Sequence, residues 1–69
     1  MNTENLISRL KGANHKKIEA ISLKREIRQL PPQERTIILN RLREEKRKSD
    51  NSDFNDAVDD IINEFSPDK

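Results

Sequence analysis

The chain has 69 residues, 39% of them charged and 30% hydrophobic, with no Cys, no Trp, no Tyr and a single Gly. The missing cysteine excludes a disulfide framework, a thiolate nucleophile and a thiolate metal site, and one glycine is too few for a phosphate-cradling loop. A domain of this size buries only about 60% of its unfolded surface, so self-association or a partner is expected to add to its stability.

Leu, Ile, Val and Phe supply 17 residues, above the rough 20% level below which a highly charged chain stays disordered, so the chain is expected to fold. Met1 to Leu10 lacks the continuous apolar run of a signal peptide, and no stretch approaches the roughly 18 apolar residues of a membrane span. A cytoplasmic protein without membrane contact is the expectation.

The formal net charge of +1 conceals a segregation. Residues 1–48 hold 13 of the 14 basic residues and 6 of the 13 acids, a net charge of +7, whereas residues 49–69 carry −6. Such asymmetry points to an interaction tail or an internal mask. The change falls at Ser49-Asp50-Asn51-Ser52, a cluster of turn formers that reads as a hinge. The expected organisation is a basic helical hairpin region over 1–48, a hinge over 49–52, an acidic amphipathic helix over 53–65 and a tail over 66–69.

All periodic stretches are helical, and none alternates at period two. The first spans Thr3 to Lys11, with Thr3 as N-cap, Leu6, Ile7 and Leu10 on one face, and Gly12 in the place of a C-terminal cap. The second is capped by Asn14 and stops at Leu30, because Pro31 and Pro32 follow. Ala20, Leu23, Ile27 and Leu30 form one stripe, with Ile18 and Ile21 nearly opposite as a second, self-association face. If Gly12 does not break the chain, Leu6, Ile7, Leu10, Ile18 and Ile21 share one face of a single long helix.

A third helix starts at Pro32 and turns Ile38, Leu39 and Leu42 inward, leaving Ile37 outside. Its short proline joint to the second helix favours an antiparallel hairpin. The fourth has Ser52 as N-cap, Asp53 and Asp56 in its first turn, and ends at Ser66-Pro67. Phe54, Ala57, Val58, Ile61, Ile62 and Phe65 fall on one arc of about 140°. The fold class is therefore all-α: a small bundle of three to four helices, with a proline-jointed hairpin and a C-terminal acidic amphipathic helix.

The catalytic inventory is poor. His15 is the only histidine, and no nucleophile, base and oxyanion combination can be assembled, so no enzyme, cofactor or metal is expected. Asp56, Asp60 and Glu64 follow at i+4 spacings, but a straight helix cannot wrap a calcium ion, and they read as a solvated acidic face.

The fourth helix admits two readings: it completes the core of its own chain, or it docks in the groove of another protein through Phe54, Val58, Ile61, Ile62 and Phe65. The leading functional expectation is a small regulatory protein that acts by protein–protein interaction, with another protein or as a homodimer. The alternative is a nucleic-acid-binding regulator in which Lys16, Lys17, Lys24, Arg25, Arg28, Arg41 and Arg43 contact phosphates and the acidic helix acts as mask or recruiter. Both Phe lie in the acidic helix, which argues against a stacking platform for single strands.

Leu30-Pro31-Pro32-Gln33-Glu34-Arg35, leading into Ile37, Ile38 and Leu42, resembles the opening of the promoter-reading domain of bacterial sigma factors over 13 residues. The helix-turn-helix which that resemblance implies is replaced here by Glu44-Glu45-Lys46-Arg47-Lys48 and the acidic helix. The layout of basic front and acidic amphipathic end is similar to that of small antitoxins and of phage or plasmid regulators, a likeness of arrangement only.

Overall fold

A computed structural model describes residues 3–65, which form four helices and no strand: α1 (Thr3–Gly12), α2 (Lys16–Arg28), α3 (Pro32–Lys48) and α4 (Ser52–Phe65). The expected end of the last helix at Ser66-Pro67 and the tail over 66–69 lie outside the described residues. The all-α bundle is thus a four-helix one. Residues 13–15 interrupt the chain after Gly12, and Ala13 N–H donates to the Leu10 carbonyl at 3.3 Å. The single long helix is excluded: Leu6, Ile7 and Leu10 are buried, whereas Ile18 and Ile21 are exposed.

One core joins all four helices. Leu6, Ile7 and Leu10 meet Ala20, Leu23 and Ile27 of α2, Ile38, Leu39 and Leu42 of α3, and Phe54, Ala57, Val58 and Ile61 of α4. Leu30, Ile62 and Phe65 pack against its margin, and among the described residues no polar residue is buried within it. The radius of gyration is 10.9 Å, matching the roughly 11 Å of a close-packed chain of this length. Residues 49–51 join α3 to α4, and both helices contribute to this core.

The helix ends refine the sequence expectations. His15, with φ −122° and ψ 88°, precedes α2 and makes no capping side-chain bond; Asn14 sits in the bend that reverses the chain rather than at the cap. α2 ends at Arg28 instead of Leu30, because Gln29 and Leu30 close the last turn with N–H bonds to the Glu26 and Ile27 carbonyls. That tightening clears space for the extended geometry Pro31 requires. Pro32 opens α3, where its missing N–H leaves no bond unmade.

At α4 the cap is Asn51, not Ser52. The Asn51 Oδ1 accepts from the Phe54 N–H at 3.0 Å, its carbonyl accepts from the Asn55 N–H, and its own N–H donates to Ser49 Oγ. Both residue types suit the position; Asn51 takes it because its side-chain oxygen reaches the third N–H of the helix, leaving Ser52 as first helical residue.

Candidate interaction surface

Burial sorts the candidate residues into two groups. Phe54, Val58 and Ile61 are 2% exposed or less and face α1, α2 and α3 rather than solvent. Ile62 and Phe65 are half-buried at the core margin, where the Phe65 ring lies 5.8 Å from the Arg35 guanidinium carbon. Of the two readings of this stripe, core of its own chain or docking surface, the closed bundle has Phe54, Val58 and Ile61 covered by their own chain.

The second apolar face behaves in the opposite way. Ile18 is 64% and Ile21 52% exposed, and with Ile37 of α3 they are the exposed large hydrophobic residues among those described. At 100° per residue Ile18, Ile21 and Arg25 fall within an arc of about 60° on the side of α2 turned away from the core. A depression of about 290 Å³ at the start of α2 is lined by Asn14, His15, Lys16, Lys17, Ile18 and Asp53.

Ion pairs along both edges of α2 decide which of its charges remain available. On the α1 side, Arg9 binds Glu19 and Glu26 together, its Nη2 standing 2.9 Å from an oxygen of each. These bonds, that to Glu26 foremost, hold the Arg9 guanidinium above its usual range. On the α4 side, Lys24 Nζ donates to Asp60 at 3.1 Å, and Arg28 pairs with Glu64 one turn further on. Lys46 of α3 completes this ladder by donating to Asp59 at 2.6 Å.

The acidic helix is therefore tied to the basic hairpin through three cross-helix pairs. Lys17 and Arg25 have no ionic or hydrogen-bonded partner among the described residues.

The seven basic residues considered for phosphate contact do not form one patch. Lys24 and Arg28 are engaged by α4, and Lys16 Nζ donates to the Ala13 carbonyl at 2.9 Å. Arg41 faces α1, donating to Glu4 at 2.7 Å and to Glu45 at 3.1 Å. The Glu4 bond is the main reason its guanidinium is held above the usual range. Arg43 donates to Asn40 and lies about 200° around α3 from Arg41, beside Phe65.

Two residues without a role in the sequence reading organise the scaffold. Arg35 Nη2 donates to the Arg28 and Leu30 carbonyls, so an α3 side chain satisfies the C-terminal end of α2. Glu45, whose side chain is 12% exposed, accepts from Lys11 at 2.6 Å and from Arg41. The Lys11 bond foremost, then that of Arg41, holds its carboxyl below the usual carboxylate range, against the opposing effect of burial. Arg41 and Glu45 are an i,i+4 pair on one helix, whereas Lys11 reaches Glu45 from α1 and Arg35 reaches the end of α2 only across the closed hairpin.

Among the described residues no group of three or more His, Cys, Asp or Glu is placed to hold a metal ion, and no helix is long and apolar enough to cross a membrane. Comparison of the chain with family models, with curated proteins and with solved structures yields no match.

Proposed function

We propose that this chain is a small non-enzymatic regulatory binding protein that acts through protein–protein interaction, with the outer face of α2 as its contact surface. The observation that carries this reading is the pair Ile18 and Ile21, exposed side by side on a bundle whose core already includes all four helices. Scattered surface isoleucines need no explanation, but two on one face flanked by unpaired cations form the centre and rim of a contact patch.

The nucleic-acid alternative is less favoured. Asp60 and Glu64 run along the edge of α2 that a phosphate backbone would approach, and they occupy Lys24 and Arg28. Docking through Phe54, Val58 and Ile61 would first require α4 to leave the core, exposing side chains that are 2% accessible or less.

A photo-crosslinking side chain at Ile21, introduced into the full chain and activated in extract of the native host, tests the reading. Discrete adducts at Ile21, absent when the same group stands at exposed Thr36, are the expected result. Equal labelling at both positions, or none at either, overturns it.

A further inference from the structure

We propose that the partner of the α2 face is an acidic amphipathic helix of a different chain, which seats its apolar residues on Ile18 and Ile21 and its carboxylates on Lys17 and Arg25. This inference rests on the protein–protein reading above and specifies the chemistry of the partner. It starts from an imbalance. Both acids of α2, Glu19 and Glu26, are turned to the α1 edge and held by Arg9, so α2 offers only cations around its exposed isoleucines. Asp53 borders the face at its N-terminal end, where it is outnumbered by Lys16 and Lys17; the Arg25 end has no acid of α2 beside it.

The molecule contains a template for the proposed contact. On its inner side α2 packs Leu23 and Ile27 against an acidic amphipathic helix, α4, while Lys24 and Arg28 take the carboxylates of Asp60 and Glu64. On its outer side the same helix repeats the ingredients, an isoleucine pair with Arg25 between them and Lys17 about 40° beyond Ile21 toward the α4 edge, and lacks only the acidic helix. Lys17 and Arg25 are eight residues apart, about 12 Å along the axis, so a partner helix meets both with acids roughly two turns apart.

A second copy of this chain fits the face poorly. Symmetric antiparallel pairing about Ile21 sets Lys17 of one copy against Arg25 of the other, and parallel pairing sets each cation against itself. Like charges so placed are repulsive, and the one carboxylate bordering the face in the depression at the start of α2, Asp53, is outnumbered there by Lys16 and Lys17. Nor can the α4 of a second copy serve, because its apolar stripe is buried in its own core.

The test is a titration of the isotope-labelled full chain, followed by NMR, with a synthetic amphipathic peptide of about 16 residues, long enough to hold a helix. The peptide carries Leu on one face and Glu on the other, and a twin replaces every Glu with Lys. The acidic peptide is expected to shift the amides of Lys17, Ile18, Ile21, Ser22 and Arg25 and to leave those of Val58 and Ile61 in place; the basic twin is expected to shift neither.

The double variant K17E/R25E should weaken binding of the acidic peptide about tenfold and strengthen that of the twin, the size expected of two rim charge contacts. I18S/I21S should abolish binding of the acidic peptide while retaining the spectrum of the folded bundle. Equal binding of both twins reduces the face to apolar adhesion and overturns the proposal. Absence of shifts also overturns it, as does displacement of α4, seen as shifts at Val58 and Ile61. A concentration-dependent dimer that I21S dissociates would identify a second copy as the occupant. Heteromeric adducts at the Ile21 crosslinker together with a failed titration would retain the interaction surface and reject only its acidic partner.

Discussion

α4 and α2 are both helices with apolar and charged sides, but they use them differently. α4 has one broad apolar arc and buries most of it, with Phe54, Ala57, Val58 and Ile61 in the core and Ile62 and Phe65 at its margin. α2 has two narrow apolar strips: Ala20, Leu23 and Ile27 close the core, while Ile18 and Ile21 remain in solvent. The clearest amphipathic pattern in the chain thus marks the helix that contributes most visibly to its own fold. The less regular pattern marks the surface left for something else, because a residue on the second side of a helix has no core to enter.

The largest expected effect breaks the α4 side of this comparison. Phe54→Ala removes a fully enclosed ring and should cost about 3–5 kcal/mol, most of the stability of a small domain, so urea denaturation followed by circular dichroism should show little or no folded baseline. A variant that kept the wild-type midpoint would show that α4 does not close the core. Asn51→Ala comes next, with a loss of about 1 kcal/mol for the missing cap, while Ser52→Ala should be near neutral. The reverse ranking of denaturation midpoints would return the cap to Ser52.

A smaller effect concerns the charges that lock α1 to α3. Because the carboxyl of Glu45 is held below its usual value of 4.5 in the folded state, its stabilisation is present above that pH and is lost as pH falls through the lower folded value. Thermal unfolding of Glu45→Gln should therefore show a shallower fall in stability below about pH 4.5 than that of the parent chain. Superimposable profiles would mean that Lys11 and Arg41 do not bind the carboxylate in solution.

The smallest effect belongs to the α2 side: Ile18→Ser with Ile21→Ser should change stability by no more than about 0.5 kcal/mol per site, since neither residue is buried. A cooperative loss of several kcal/mol in that variant would show that these isoleucines support the fold, and the contrast with α4 would collapse.

Much of this architecture is legible in the sequence because it is periodic. The inward faces of α1, α3 and α4 follow from spacings of three and four, and Ile37 is correctly left outside since it breaks that register on α3. The proline pair fixes the end of α2 to within two residues by geometry that does not depend on packing. The one-residue displacement of the α4 cap is less legible, since Asn51 and Ser52 are equally suited by type and only the position of the Phe54 N–H selects between them.

Apart from the i,i+4 pair of Arg41 and Glu45, the charge pairs are not legible. Lys24 and Asp60, or Arg41 and Glu4, are separated by 36 and 37 residues, and nothing local relates them. The same holds for Arg35, whose use as a cap for the end of α2 depends on the hairpin having closed.

The sequence by itself determined the helical class, the approximate boundaries and the separation of charge into a basic and an acidic part, because these depend on neighbours within a few residues. Tertiary structure alone decided that the acidic helix folds back onto the basic hairpin, that its stripe becomes core rather than docking surface, and that Lys17 and Arg25 stay unpaired while Lys24 and Arg28 do not. The physical reason is that burial and ion pairing depend on which faces meet. Four short helices could share their apolar strips in several ways, and the packing that buries the α4 arc leaves the second face of α2 outside.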